Sequence, residues 1–328
     1  MTTSDPASMR AITYPAYGGP GMLRLGDVPR PVIPAEGVLV RVHAASLNAL
    51  DWHLMRGRPF VARLTEGLLR PRRPIPGADM AGIVEAVEPG VTSLRPGDEV
   101  FAAKGQALAQ YVAGPASIFL PKPPTLTFEE AAALPVAGAT ALQALVKGGA
   151  SAGSRVLVTG AGGGVGTFAV QIAKALGAHV TATTSPSKLA LLASLGADAV
   201  LDYTRDDVVA AGPFDIVIDV AARQPFAALS RAMTPTGTLV VVGPDEGDWI
   251  GAIRRPIGAV IRSRRGAQRF LPFLSSAPRT DLETLAAMAA DGRVRPVIDR
   301  VLPLERTAEG MALVGSGQAA GKVVIRVT

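Results

Sequence analysis

The segment from Arg155 to Gly177 limits the possible folds of this chain more than any other. Arg155-Val156-Leu157-Val158-Thr159 is apolar and β-branched, which predicts a buried strand. A glycine-dense turn from Gly160 to Gly166 follows, and Thr167-Phe168-Ala169-Val170-Gln171-Ile172-Ala173 then has helical character. A second strand is predicted over Ala178 to Thr183. Strand, glycine turn and helix in this order form the phosphate-binding corner of a dinucleotide fold. Glycines let the backbone turn sharply and approach a pyrophosphate without a Cβ in the way. The first amides of the helix then face the anion, with the positive end of the helix dipole behind them. The spacing is G-x-x-G-x-x-G at Gly160, Gly163 and Gly166, with Val165 standing where G-x-G-x-x-G would end. Glycines alone would fit a flexible loop. Their setting between strand and helix assigns Gly160, Gly163, Gly164, Val165 and Gly166 to a nucleotide site.

With 328 residues the chain is long enough for a large core and two domains. Its 48% hydrophobic and 18% charged content predicts a globular protein. No apolar run reaches the ~18 residues of a membrane helix; the stretch from Ala131 to Val146 is broken by Pro135, Gly138 and Gln143. Residues 1–8 read as a short mobile extension without a signal-peptide pattern. There is no cysteine, which excludes disulfides, thiol chemistry and thiolate-bound metal. A cytoplasmic location is expected by elimination. The net charge is +6, and its densest cluster is Arg254, Arg255, Arg262, Arg264, Arg265 and Arg269. No nucleic-acid motif or interleaved aromatics accompanies these arginines, so a solvated face is expected rather than nucleic-acid binding, with the rim of an active-site cleft as an alternative.

Residues 9 to about 120 carry short β-like runs broken by glycine and proline, such as Val38 to Ala44, Ala81 to Val87 and Asp98 to Ala102, and predict an antiparallel, barrel-like domain. Pro-Lys-Pro-Pro at 121–124 marks a boundary. Helices are expected over Phe128 to Leu134, Thr140 to Lys147 and Asp281 to Asp291. Between 155 and 242, strand and helix patterns alternate, which implies a parallel sheet with right-handed crossovers. The tail returns to strand character at Val297 to Leu302 and Lys322 to Val327.

The second strand of the dinucleotide unit also bears on the cofactor. NAD-binding versions end this strand on an acidic residue that takes the ribose hydroxyls. Here the strand runs into Thr183-Thr184-Ser185-Pro186-Ser187-Lys188. Hydroxyls and a lysine suit a 2′-phosphate, so NADP(H) is the expected cofactor, with Lys188 as a solvent-facing residue the plain alternative.

The chain resembles the zinc-free, quinone oxidoreductase-like branch of the medium-chain dehydrogenase/reductase superfamily. Four blocks carry the resemblance: Asn48-Ala49-Leu50-Asp51 with Arg56-Gly57, where Ala49 replaces the usual proline; Pro76-Gly77-Ala78-Asp79-Met80-Ala81-Gly82 with Pro96-Gly97-Asp98-Glu99-Val100; Ala131 to Ala141; and Gly321-Lys322-Val323-Val324. The resemblance implies an α/β protein. A GroES-like β-barrel domain (residues 1–124 and 268–328) would join a Rossmann doubly wound parallel-sheet domain (residues 125–267), with the active site in the cleft between them. Zinc-dependent relatives place a cysteine ligand where Asn48 stands and a histidine where Ala78 stands, so no metal is expected. Of the three histidines, His43 and His179 lie in strands without partners at ligand spacing. Relatives also suggest a homodimer.

Without a Lewis acid, alcohol oxidation loses its main assistance, and reduction of an electrophilic acceptor is favoured. The expected activity is NADPH-dependent hydride transfer to a quinone or α,β-unsaturated carbonyl. Two alternatives stay open: a reductase of a specific enoyl thioester or biosynthetic enone, and a non-catalytic NADPH-binding interaction protein. Asn48 is the first candidate to stabilise charge on the acceptor oxygen, with a turn-capping asparagine the plain reading. Asp51 is expected to act as an N-cap or loop anchor. His53 stands where relatives often carry tyrosine; it is either a proton donor or a partly exposed histidine without a role. The resemblance further implies Thr140 near the nicotinamide, Gly163, Gly164 and Val165 at the pyrophosphate, Ser185 and Lys188, beside Thr184, at the 2′-phosphate, Tyr203 beside the adenosine end, and Val242 and Gly243 at a strand end near the nicotinamide.

Overall fold

The computed structural model describes residues 8–242, 251–263 and 266–328, the side chains of Val61 and of residues 251–256 excepted. Gly243, Arg264, Arg265 and residues 1–7 of the expected N-terminal extension therefore lie outside the described residues, while Ser8 of that expected extension already belongs to a strand. Backbone contacts divide the chain into two units. One is Met1–Val136, Ala277–Ala290 and Pro296–Thr328, and the other is Ala137–Ser276 and Asp291–Arg295.

The first unit opens with the hairpin β1 (Ser8–Thr13) and β2 (Arg24–Pro29), then the long strand β3 (Gly37–Leu47). Helices α1 (Ala49–Arg56) and α2 (Arg63–Glu66) precede β4 (Asp79–Val87), β5 (Glu99–Ala103), β6 (Tyr111–Pro115), β7 (Leu120–Pro121) and α3 (Phe128–Ala133). Strand β3 alternates between the core and the second face, burying Val38, Val40 and Val42 completely.

In the second unit, α4 (Pro135–Gly148) leads to an alternation: β8 (Arg155–Thr159), α5 (Gly164–Ala175), β9 (His179–Thr184), α6 (Leu189–Ser194), β10 (Ala199–Asp202), β11 (Phe214–Asp219), α7 (Phe226–Ala232), β12 (Met233–Val241), α8 (Gly251–Ser263) and β13 (Arg269–Pro272). The six strands lie in the order β10-β9-β8-β11-β12-β13, and every pair is parallel. Counted from β8, that is 3-2-1-4-5-6, the doubly wound dinucleotide-binding order, with its switch point between β8 and β11. Val156, Leu157, Val158, Val217, Ile218, Leu239 and Val240 are fully buried, as a sheet covered on both faces requires.

The chain then returns to the first unit with α9 (Arg279–Ala290), β14 (Ile298–Pro303), α10 (Thr307–Gly315) and β15 (Lys322–Arg326). These strands extend a seven-stranded sheet ordered β14-β15-β3-β4-β5-β7, with β6 on β3. It is antiparallel except for the β14–β15 pair.

The structural divisions fall later than the proline run at 121–124 suggests. Helix α3 packs on β3, β4 and β15, burying Ala131, Ala132 and Ala133, so it belongs with the first unit. At the other end, β13 pairs with β12 and continues the parallel sheet past residue 268. Helix α4 begins at Pro135, five residues before the expected Thr140, because proline is well tolerated in the first helical turn. Of the expected arginine cluster, Arg262 lies over the Phe226 ring and Arg269 is exposed on β13. Among the described residues no helix is long and apolar enough to cross a membrane.

Candidate functional site

The first candidate region is the edge formed by strand C-termini in the parallel sheet. Register aligns Thr159 of β8 with Asp219 of β11, and Asp219 with Val241 of β12. Thr184 of β9 sits beside Asp202 of β10. Thr159 Oγ1 donates to Asp219 Oδ1 at 2.7 Å, and the Val242 amide donates to the Asp219 carbonyl at 3.0 Å. Ligands of doubly wound sheets bind along this edge.

The glycine turn is built in three distinct ways. Gly160 has φ +63°, left-handed backbone that favours glycine, and a Cβ there would lie 2.8 Å from Ala221. A Cβ on Gly166 would stand 2.5 Å from Ala161 Cα, so this glycine lets α5 close on the turn. Gly163 is different. It is the N-cap of α5, with ordinary extended backbone (φ −95°), and among the described residues nothing but the Gly160 carbonyl, 3.7 Å away, would meet its Cβ. The fold itself has room for a side chain at 163. The space in front of the helix amides of Gly164, Val165 and Gly166 is thus left open at a helix N-terminus, a cradle that fits a phosphate.

The residues assigned to the 2′-phosphate gather at the end of β9. Thr184 is buried, Ser185 Oγ lies 3.3 Å from Ser187 Oγ, and the Tyr203 amide donates to the Thr184 carbonyl at 3.2 Å. Tyr203 is exposed. Lys188 is not solvent-facing: it is 8% exposed, and its stem lies so close to Gly162 that a Cβ there would be 2.6 Å from Lys188 Cδ. Asp202 is the carboxylate next to this strand end. It accepts from the Thr204 amide and hydroxyl at 2.9 and 2.7 Å and pairs with Arg205 at 3.1 Å. Those bonds hold its pKa below the ordinary value. Thr140 is buried in α4, its hydroxyl donating to Ser275 Oγ at 2.9 Å.

The second candidate region lies in the other unit, where β3 ends. Asn48 caps α1. Asp51, at the third helical position, accepts from the Asn48 amide at 2.8 Å and the Gly77 amide at 3.2 Å. The capping roles are thereby divided: Asn48 is the cap, and Asp51 closes the capping box and ties in the 77 turn. Asp79 is fully buried and accepts from Ser46 Oγ (3.0 Å), Asn48 Nδ2 (2.9 Å) and the Val136 amide (3.0 Å). Lys322 Nζ lies 2.5 Å from Asn48 Oδ1 and 3.5 Å from Asp79 Oδ2. Burial pushes the Asp79 carboxyl up and the Lys322 ammonium down; each is the other's counter-charge, and the hydrogen bonds to Asp79 favour its ionised form.

Among the described residues no cation lies at hydrogen-bonding distance from Asp51, and burial raises its carboxyl to about 6. In the unfolded chain it titrates near 3.8. The native state therefore holds a proton that the unfolded state has lost between these values. The stability that the protonated carboxyl contributes is present below pH 3.8 and disappears as pH rises through about 6. The expected loss is up to ~3 kcal/mol across that window. Urea unfolding of wild type and Asp51→Asn from pH 4 to 7 measures it: the wild-type advantage should shrink as pH rises, and a constant difference would refute the assignment.

His53 lies on α1, partly buried, without a side-chain hydrogen bond or ion pair to a described residue. Burial and Arg56 lower its pKa, which favours the neutral imidazole at pH 7. Sequence reasoning passed over Ser46, Asp79 and Lys322 in the first unit, and Thr159, Gly162, Asp202 and Asp219 in the second. A signal was available for Lys322 and Asp79: each is a charged residue opening an apolar β run.

Known proteins with the same architecture place the chain in a class. Residues 34–125 match the family described as alcohol dehydrogenase GroES-like domain, and residues 195–325 match the family described as zinc-binding dehydrogenase. A chloroplast envelope quinone oxidoreductase homolog of Arabidopsis thaliana is 33% identical, with 97% of this chain and 98% of that protein aligned. An NADPH-dependent alkenal/one oxidoreductase, also of Arabidopsis thaliana, is 31% identical over 98% of this chain and 80% of its own. The solved quinone oxidoreductase of Coxiella burnetii superposes with a TM-score of 0.87 at 29% identity, covering 98% of this chain and all of that one. These likenesses define an oxidoreductase built from a GroES-like domain and a Rossmann-type domain. The chain belongs to the quinone oxidoreductase-like family of the medium-chain dehydrogenase/reductase superfamily.

Proposed function

We propose that this protein is an NADPH-dependent, zinc-independent reductase of quinones or α,β-unsaturated carbonyls. The observation that carries the reading is the chemistry around Asn48. Its amide oxygen already accepts from the Lys322 ammonium, and the neighbouring family ligand position is Ala78. A metal cation does not fit beside a buried ammonium, and among the described residues no three His, Asp or Glu side chains are grouped to hold one. What the residues offer is a fixed hydrogen-bond donor. The names of the relatives, quinone oxidoreductase and alkenal/one oxidoreductase, support the same acceptor class.

Bound NADPH supplies the hydride. The α5 N-terminus, opened by Gly163, holds the pyrophosphate, and Gly160 and Gly166 shape the turn behind it. Thr184, Ser185 and Lys188 take the 2′-phosphate, and Tyr203 covers the adenosine end; Thr140 and Val242 lie toward the nicotinamide. Asn48 donates to the acceptor oxygen as negative charge builds there, the form of assistance that a preorganised donor gives best. His53, largely neutral at pH 7, hands on a proton only after drawing one from water.

Oxidation of NADPH at 340 nm with 9,10-phenanthrenequinone and with a small enone tests the proposal. Turnover with either supports it. Tight NADPH binding without turnover over a broad acceptor panel would favour a binding protein instead. For cofactor choice, Lys188→Ala should weaken NADPH more than NADH by about 1–2 kcal/mol, the scale of one charge-assisted hydrogen bond. Equal losses for both cofactors would remove Lys188 from the 2′-phosphate.

A further inference from the structure

Asn48 is the only asparagine in the chain, and it is held at both ends of its amide by buried charges of opposite sign. Its oxygen accepts from Lys322 Nζ at 2.5 Å, and its nitrogen donates to Asp79 Oδ2 at 2.9 Å. Reversing the amide would set oxygen against carboxylate and NH₂ against ammonium, replacing two charge-assisted hydrogen bonds by two repulsions. Water cannot soften that penalty, because Asn48, Asp79 and Lys322 are at most 8% exposed. Ser46 Oγ and the Val136 amide fix Asp79 in turn. A side-chain amide has two N–H bonds, and Asp79 uses one. The second has no partner among the described residues.

We infer that Lys322 and Asp79 are positioning residues that lock the Asn48 amide in a single orientation and so present its second N–H as the donor for the acceptor oxygen. The inference rests on the proposed reduction for its catalytic half; the lock itself does not. It assigns a function to a buried ion pair that would otherwise add little to stability, since such pairs are often no better than apolar residues of equal volume.

The experiment has two arms. Selective ¹⁵N-asparagine labelling gives one side-chain NH₂ pair, that of Asn48. In wild type its two protons should be well separated in shift, with the Asp79-bonded proton exchanging with water at least tenfold more slowly than in free asparagine. In the charge-neutral double variant Asp79→Ala/Lys322→Met, chosen because it leaves no lone buried charge and adds no second asparagine, the separation should collapse and the protection vanish. A wild-type pair already exchanging like free asparagine would overturn the lock, whether or not the enzyme turns over.

The second arm reads kinetics. Lys322→Met and the double variant should each lower kcat for a quinone or enone at least tenfold, with KM for NADPH within twofold. In an Asn48→Ala background the same changes should cost less than twofold more. Losses that multiply with Asn48→Ala, or a folded Lys322→Met enzyme with wild-type kcat, would overturn the positioning role. A protected, locked amide in a wild type inert toward all acceptors would overturn the proposed activity and the presentation of the donor, and would leave the lock standing.

Discussion

Replacing Gly163 with valine is expected to abolish NADPH binding and leave the fold intact. Most glycines of a phosphate loop cannot report on the ligand alone, because a side chain there also breaks the turn. Gly160 is in left-handed backbone, and a Cβ on Gly166 would strike the Ala161 backbone at 2.5 Å. Gly163 separates the two effects. Its φ of −95° and ψ of −178° suit a β-branched residue, and no described residue blocks its Cβ direction. The change should cost the fold below about 1 kcal/mol, the difference between a fair and a poor N-cap. The valine methyls would occupy the space in front of the α5 amides. Losing two charge-assisted hydrogen bonds to a phosphate is worth at least ~3 kcal/mol, or about 100-fold in affinity. Fluorescence titration with NADPH, beside a thermal melt without ligand, checks both halves. Wild-type affinity in a folded Gly163→Val protein would move the phosphate elsewhere.

The second large effect is on stability. Asp79→Ala should destabilise the first unit by about 3–5 kcal/mol, the cost of stranding one member of a buried ion pair. The loss exceeds that of a cavity of similar size, because the Lys322 ammonium is left buried beside Asn48, and Ser46 Oγ and the Val136 amide lose their acceptor. Adding Lys322→Met to Asp79→Asn should restore most of the stability by removing both charges. Urea unfolding of the variants decides: a cost below about 1 kcal/mol for Asp79→Ala would mean that the pair is not sequestered as a charged pair.

Much of the fold was legible because its signals are local. The strand at 155–159 is found where its β pattern predicts it, the one expected over Ala178 to Thr183 lies a single residue further on, and the Gly160–Gly166 turn follows the first of them. Periodicity and glycine placement act within a few residues of one another, so a linear reading captures them. The misreadings have physical reasons too. Helix α8 was not among the expected helices, because its many arginines read only as a solvated face. The proline run at 121–124 marks a turn but not a unit boundary, since the alanine face of α3 still finds its partners on β3, β4 and β15.

The candidate sites divide the same way. Gly163, Thr184, Ser185 and Lys188 could be named from sequence, being set by one strand–turn–helix unit and the strand after it. Even so, the burial of Lys188 against Gly162 was not foreseeable from its place in a serine-rich turn. The Asn48 network could be named only in part. Lys322 is 274 residues from Asn48 and 243 from Asp79, and only the pairing of β15 with β3 brings them together. A capping asparagine and a locked donor share the same sequence; the charges that tell them apart arrive from the other end of the chain.

A pyridine nucleotide with a 2′-phosphate is expected to bind at the Gly160–Gly166 turn. Isothermal titration of the folded, metal-free protein with NADPH and, separately, NADH tests it most directly. NADPH should bind saturably and one-to-one, more tightly than NADH. Heat of binding from neither nucleotide would contradict it.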